Sequence, residues 1–272
     1  MKVFCILSDE RAFRSKSPVM HTTVLARVGI PGVYVPFMVD ADRVGDAVRG
    51  LRALNIAGAN VTVPYKETVV PFLDTLSADA KEIGAVNTIV LRNGILEGHN
   101  TDCRGFADAL DAQCLDPRGA TALVFGTGGA ARGVVYALSK MCRANVLVAG
   151  RDPRKTEELT RRIGGEPVPL EALRREAFSV DLVINATSVS NRAESPEAAD
   201  LVSHLRVEGC RLVVDLNYGR KYNFWKRLAK KVRADFMDGL PMLAYQARRS
   251  FLLWTGVDVE VGEFVDALGE GG

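Results

Sequence analysis

The run Thr121-Ala122-Leu123-Val124-Phe125 is apolar and β-rich, and it leads into Gly126-Thr127-Gly128-Gly129-Ala130-Ala131-Arg132 and a helical pattern. A strand that turns into a helix through G-x-G-x-x-A spacing suits a pyrophosphate. Gly126 allows the tight turn, Gly128 lets a phosphate reach the backbone, and Ala131 allows close packing of helix on strand. The positive end of the helix then faces the phosphates. In such units an acidic residue some ~20 positions on, at the end of the second strand, usually accepts the ribose 2′-hydroxyl. Here that strand ends Val148-Ala149-Gly150-Arg151, with Arg154 and Lys155 behind it. A guanidinium suits a 2′-phosphate, which points to NADP, with NAD as the alternative because Asp152 could repel that phosphate or take a ribose hydroxyl. Arg154 and Lys155 read equally well as a solvated helix face.

The elements that must position this chemistry alternate throughout the chain. Val3 to Leu7, Val33 to Val39, Ala59 to Val63 and Thr88 to Leu91 read as strands, with helices from Ser17-Pro18 to Val28-Gly29 and from Asp42 to Leu54. Ser17 is placed to cap its helix and Pro18 to start it. The alternation predicts an α/β layer with parallel strands. A second α/β unit opens after the turn residues Asp116-Pro117-Arg118-Gly119, with buried strands at Asn145 to Ala149, Asp181 to Ala186 and Arg211 to Leu216. Its helices read as Ala130 to Met141, Pro153 to Ile163, Leu170 to Glu176 and Asn223 to Lys231. Two more helices follow, Leu240 to Thr255 and Val259 to Leu268.

With 272 residues, two compact domains are the natural expectation. Hydrophobic residues make up 47% and charged residues 25%, and the net charge of +2 arises from 35 basic and 33 acidic side chains without a basic stripe. That argues against nucleic acid as a partner and for a small-molecule one. Cys5, Cys103, Cys114, Cys142 and Cys210 contain no C-x-x-C pair, and His21, His99 and His204 have no metal-ligand spacing, so no metal is expected. No signal peptide or membrane span is visible, and a reducing cytoplasm fits.

Polar residues of the first half fall into short clusters: Ser15-Lys16-Ser17-Pro18, Asn60-Val61-Thr62-Val63-Pro64-Tyr65-Lys66, Gly84-Ala85-Val86-Asn87-Thr88 and Asn100-Thr101-Asp102. In the second half follow Gly126 to Arg132, Asn185-Ala186-Thr187-Ser188, Asp215 with Tyr218, and Asp238-Gly239-Leu240-Pro241-Met242 through Gln246. In this order, over nearly the whole chain, these clusters resemble the motifs of the shikimate dehydrogenase family.

The resemblance implies an α/β substrate domain, residues 1–104 completed by 238–272, and a Rossmann-like doubly wound NADP domain, residues 105–237, with the active site in the cleft between. It implies NADP-dependent interconversion of 3-dehydroshikimate and shikimate on the route to chorismate and the aromatic amino acids. Lys66 and Asp102 match the catalytic pair, Ser15 and Ser17 the carboxylate-binding serines, and Asn60, Thr62, Asn87, Tyr218 and Gln246 the hydroxyl-binding positions. Gly126, Gly128, Gly129, Ala130, Arg151, Arg154, Lys155, Thr187, Ser188 and Gly239 fall at cofactor positions. A lysine ammonium can stabilise and protonate the alkoxide that forms as a ketone accepts hydride. A neighbouring carboxylate favours its charged form and burial opposes it.

Some stretches depart from the pattern. Asp9 to Arg14 replaces a G-x-P-x-x-H entry to the serines, and Arg14 there would add a cation for a carboxylate. Gly219-Arg220-Lys221-Tyr222-Asn223 and Val189-Ser190-Asn191 also differ. They keep open a paralogue acting on quinate or an aminated shikimate analogue, with NAD, and a non-catalytic ligand sensor. Monomer and homodimer are both compatible with the sequence.

Overall fold

The computed structural model describes residues 1–270. The chain divides into two compact units, Phe106–Met242 and the remainder, in which Met1–Gly105 is joined by the segment from Leu243 onward.

The first unit is built on strands β1 (Lys2–Ser8), β2 (Gly32–Met38), β3 (Gly58–Val61), β4 (Thr75–Leu76), β5 (Thr88–Arg92) and β6 (Ile95–His99), in the order β2-β1-β3-β5-β6-β4. Helices α1 (Ser17–Arg27), α2 (Val44–Ala53) and α3 (Ala78–Ile83) connect them, and α4 (Asp102–Ala112) begins at the end of β6. The expected parallel strands are β1, β2 and β3, while β3 pairs antiparallel with β5 and β5 with β6, so the sheet is mixed. The β5–β6 reversal is made by the dipeptide Asn93-Gly94, both at positive φ (52° and 78°), a two-residue hairpin turn that sends the chain straight back.

This mixed topology brings one edge of the sheet together. The C-terminal ends of β1, β3 and β6 and the N-terminal end of β5 lie side by side, since Asn60 is opposite Thr88 and Thr88 opposite His99. Below them lies an apolar core that includes Cys5, Leu7, Val48, Ala59, Val61, Ile89 and Leu96. Ser8 Oγ donates to the Val63 carbonyl at 2.7 Å, tying the end of β1 to the loop after β3, where the Val63–Pro64 peptide is cis.

The second unit has β7 (Thr121–Phe125), β8 (Asn145–Ala149), β9 (Glu166–Pro167), β10 (Ala177–Ser179), β11 (Leu182–Asn185), β12 (Arg206–Glu208), β13 (Leu212–Asp215) and β14 (Asp235–Met237). Its main sheet, β14-β13-β11-β7-β8-β9, is parallel throughout. Numbered within the sheet the order is 3-2-1-4-5-6, the doubly wound dinucleotide-binding arrangement, with its switch point between β7 and β11. The strands are near-continuous apolar runs because helices cover both faces. These helices are α5 (Gly129–Tyr136), α6 (Pro153–Ile163), α7 (Leu170–Arg175), α8 (Pro196–His204) and α9 (Phe224–Val232). Helix α10 (Leu240–Thr255) leads back into the first unit and is followed by α11 (Val261–Glu270).

Helix α10 packs tightly within the first unit. A Cβ on Gly105 would lie 2.6 Å from the Gln246 nitrogen, and one on Gly58 would enter the Trp254 ring. Glycine at both positions is therefore a packing requirement that sets Gln246 close to the start of α4 and Trp254 on β3.

Candidate functional site

The sheet edge of the first unit carries a dense polar cluster. Lys66 follows β3 and Asp102 opens α4, and Lys66 Nζ lies 2.6 Å from Asp102 Oδ2, with the two side chains only 13% and 6% exposed. The other carboxylate oxygen, Oδ1, accepts from Asn87 Nδ2 at 2.9 Å. Asn87 is itself fixed, because its Oδ1 accepts from the Thr101 amide at 2.7 Å and its Nδ2 lies 3.2 Å from Gln246 Oε1. A charged pair this dry is costly to bury unless hydrogen bonds hold its geometry, and here they do.

Asn60 is buried, and its amide is engaged by the protein. Oδ1 accepts from the Tyr34 hydroxyl at 2.7 Å, and Nδ2 points at the Asn87 carbonyl, Thr88 Oγ1 and Ser250 Oγ at 3.1–3.2 Å. Burial pushes the Tyr34 hydroxyl well above its ordinary pKa, so it stays a donor. Thr62 is half-buried beside this group, and its amide donates to the Leu7 carbonyl. Gln246 Nε2 donates to the Leu243 carbonyl, leaving Oε1 directed at Asn87 and Thr101.

The serines sit after β1, on the same edge. The expectation that Ser17 caps α1 is corrected: Ser17 is the first helical residue, Lys16 holds the cap position without a capping side chain, and Ser15 Oγ accepts from the Ser17 amide at 3.2 Å. The Ser17 side chain is instead buried. In the atypical entry loop, Asp9 caps the short helix Glu10–Arg14 and forms a two-pronged ion pair with Arg11. The Arg11 guanidinium holds the Asp9 carboxyl down at about 2. Arg14 is exposed.

In the second unit, Gly126 has φ +118°, and a Cβ there would come 3.0 Å from the Ala186 carbonyl oxygen, so the turns after β7 and β11 meet at the switch point. Gly128 is the N-cap of α5 and a Cβ on it would meet open space, with Gly129 and Ala130 opening the helix. The motif thus exposes backbone donors at a helix N-terminus, as a pyrophosphate requires. Arg151 ends the β8 turn, exposed, with Arg154 and Lys155, and among the described residues none of the three side chains is engaged in an ion pair or hydrogen bond. Asp152 is occupied otherwise: its carboxylate caps α6 by accepting from the Arg154 and Lys155 amides. Its Oδ1 is thereby committed to its own helix.

Thr187 and Ser188 follow β11. The Thr187 hydroxyl donates to Asn185 Oδ1 at 2.7 Å, and Asn185 Nδ2 donates to the fully buried Asp215 at 2.8 Å. Asp215 also receives Asn217 and Asn223, fixing the loop that carries the half-buried Tyr218. A side chain on Gly239 would collide with the Leu216 carbonyl, so this glycine is required by the backbone fit after β13.

Thr101, Tyr34, Thr88 and Ser250 complete the first cluster and are not among the residues expected from sequence. Thr101 lies inside a recognised motif, and Ser250 is one helical turn beyond Gln246, a spacing that places both on one face of α10.

A glycine-rich switch point on a doubly wound sheet, together with a buried lysine–carboxylate pair on a second α/β unit, defines a nicotinamide-nucleotide oxidoreductase of the two-unit type. Comparison narrows the class. Residues 10–89 match the shikimate dehydrogenase substrate binding domain, residues 110–223 the shikimate / quinate 5-dehydrogenase model, and residues 239–268 the shikimate 5′-dehydrogenase C-terminal domain. The shikimate dehydrogenase (NADP(+)) of Pyrococcus abyssi is 39% identical over 275 residues, with all of both chains covered. The structure of shikimate 5-dehydrogenase from Thermus thermophilus in complex with NADP(H) and shikimate is 34% identical, covers 99% of both chains and superposes with a TM-score of 0.86. The ligand-free 5-ketofructose reductase of a Gluconobacter strain is also similar, at 27% identity and a TM-score of 0.81, covering all of this chain and 99% of that one. The chain belongs to the shikimate dehydrogenase family.

Proposed function

We propose that the protein catalyses the reversible, NADP-dependent reduction of 3-dehydroshikimate to shikimate. The observation that carries the reading is the buried Lys66–Asp102 pair, 2.6 Å apart and braced by Asn87 at the edge where the substrate-domain strands converge. The first unit serves as the substrate domain and the second as the NADP domain. The relative from Pyrococcus abyssi and the Thermus structure with NADP(H) and shikimate support the choice of substrate and cofactor. The free cations Arg151, Arg154 and Lys155, with Asp152 capping α6, support NADP over NAD.

NADPH, when bound, supplies the hydride for the ring ketone. Lys66 Nζ stabilises the negative charge growing on the carbonyl oxygen and delivers the proton that completes the alcohol. In the oxidative direction the same nitrogen takes that proton back. Asp102 holds Nζ in place through Oδ2 while Asn87 holds Asp102 through Oδ1, so neither group has to reorganise during the step. Ser15 and Ser17 receive the ring carboxylate, and Thr62, Asn87 and Gln246 receive hydroxyls. Asn60 contributes by fixing the Asn87 carbonyl and Thr88. Gly126, Gly128, Gly129 and Ala130 present backbone to the pyrophosphate, and Thr187, Ser188 and Gly239 border the nicotinamide side.

The experiment is an absorbance assay at the nicotinamide band with shikimate or quinate and NADP+ or NAD+ in all four combinations. Turnover dominated by shikimate with NADP+ is expected. Dominance of quinate, or of NAD+, would replace that part of the reading, and silence in all four would move the protein to another substrate or a sensing role.

A further inference from the structure

Behind the catalytic pair lies a second tier of hydroxyls that the reaction does not touch. Ser250, on α10, is fully buried, and its Oγ lies 2.8 Å from Thr88 Oγ1, 3.1 Å from Thr101 Oγ1, 3.2 Å from Asn60 Nδ2 and 3.1 Å from the Gln246 carbonyl. One hydroxyl thus joins β3, β5, the start of α4 and α10. Thr101 passes the connection on, with its Oγ1 2.9 Å from Asn87 Nδ2, the group that holds Asp102. On the other side Asn60 links Ser250 to the Tyr34 hydroxyl. The Tyr34 ring is clamped, stacked on His21 at 4.7 Å with a 12° interplanar angle and packed against Trp254. A continuous chain of buried side chains therefore runs from Tyr34 to Asp102.

We infer that Ser250 and Tyr34 are positioning residues: through Asn60, Thr88 and Thr101 they fix the Asn87 amide, and with it the Asp102–Lys66 pair, in the geometry that proton delivery needs. The chemistry of the chain supports this. A serine hydroxyl has one hydrogen and two lone pairs, and four polar atoms surround this one, so its removal takes one partner from the Asn60 amide and from each of two threonine hydroxyls in a dry site and shifts the balance toward their remaining partners around Asn87. In such a network the loss of one member reorients the others. The effect reaches Asp102 through Thr101 and Asn87, and neither Ser250 nor Tyr34 is required to contact substrate or cofactor.

The inference rests on the assignment of Lys66 and Asp102 to catalysis. Its test is steady-state kinetics of Ser250→Ala and Tyr34→Phe with shikimate and NADP+, alongside the wild type. Ser250→Ala should lower kcat about tenfold, the scale expected for one buried hydrogen bond, with both KM values within about twofold of wild type. Tyr34→Phe keeps the ring between His21 and Trp254 and removes only the hydroxyl, so it should fold and lower kcat in the same sense by a smaller factor. An unchanged kcat in the folded variants, or a change confined to KM, would overturn the positioning role. If Ser250→Ala does not accumulate as folded protein, Tyr34→Phe decides by the same criterion. A silent wild type would sink the catalytic assignment, whereas an active wild type with equally active variants would sink only the positioning role.

Discussion

The two sheet edges hold their functional groups in opposite ways. On the substrate edge nearly every polar side chain already has a protein partner: Lys66 has Asp102, Asp102 has Asn87, and Asn60 has Tyr34 and Ser250. On the nucleotide edge the groups that matter are uncommitted, with an open approach at Gly128 and exposed cations at Arg151, Arg154 and Lys155. The difference matches the roles proposed for the two edges. Proton transfer needs atoms fixed to a fraction of an ångström, which a buried network provides. A phosphate dianion needs accessible charge and backbone donors, which burial would weaken. Catalysis and cofactor choice should therefore respond separately to mutation.

The largest effect expected is at Lys66. Lys66→Ala should lower kcat about a hundredfold or more while leaving the KM for shikimate within a few-fold, because the lost group acts mainly on the forming alkoxide. Near-normal kcat in the purified variant would end the comparison at its stronger pole. Arg151→Ala should raise the KM for NADP+ about tenfold or more and leave the value for NAD+ little changed, since the nucleotides differ only in the 2′-phosphate. Equal losses for both nucleotides would make Arg151 a general contact and not a discriminator.

A third expectation concerns stability beneath the substrate edge. His21 is fully buried among Tyr34, Phe251, Trp254 and Phe264, and burial lowers its pKa from 6.5 to about 3. Between these values the unfolded chain takes up a proton that the folded chain refuses. The contribution is complete above the unfolded value and is lost as pH falls from there toward the folded one. Denaturant unfolding should show about 2 kcal/mol less stability at pH 5 than at pH 7 from this residue, and His21→Phe should remove that share of the slope. A slope that survives the substitution unchanged would assign it elsewhere. The smallest effect is at Asp152, where Ala should cost about 1 kcal/mol through loss of the α6 cap without reversing the preference for NADP+. A switch to NAD+ would show that the carboxylate does more than cap.

Much of this architecture is written locally. The strands β7, β8, β11 and β13 are short apolar runs, and α6 and α10 begin and end where their caps and periodicity place them. The fold class and the switch-point glycines are legible for that reason. Three features are not. Asn93-Gly94 is a clear turn signal, but the strand it feeds, Ile95–His99, is broken up by Glu97 and Gly98, and without β6 the antiparallel half of the first sheet stays hidden. The Ser-Pro dipeptide has two outcomes: Ser195 does cap α8, accepting from the Ala198 amide, whereas Ser17 is drawn into the helix and buried with Tyr34 while Ser15 takes the bond. Tertiary contacts, not the dipeptide, decide between them. The network of Ser250 with Thr88 joins residues 162 positions apart, and nothing in the local pattern of α10 distinguishes that serine from a solvated one.

The division of labour between the two edges is tested most directly by kinetics of Lys66→Ala, Arg151→Ala and the double variant, with kcat measured at saturating cofactor and KM for NADP+ measured alongside. The account predicts that the loss in kcat belongs to Lys66, that the rise in KM belongs to Arg151, and that the double variant shows both in full, because the sites act independently. A fall in kcat at saturating cofactor in Arg151→Ala comparable to that in Lys66→Ala would contradict it.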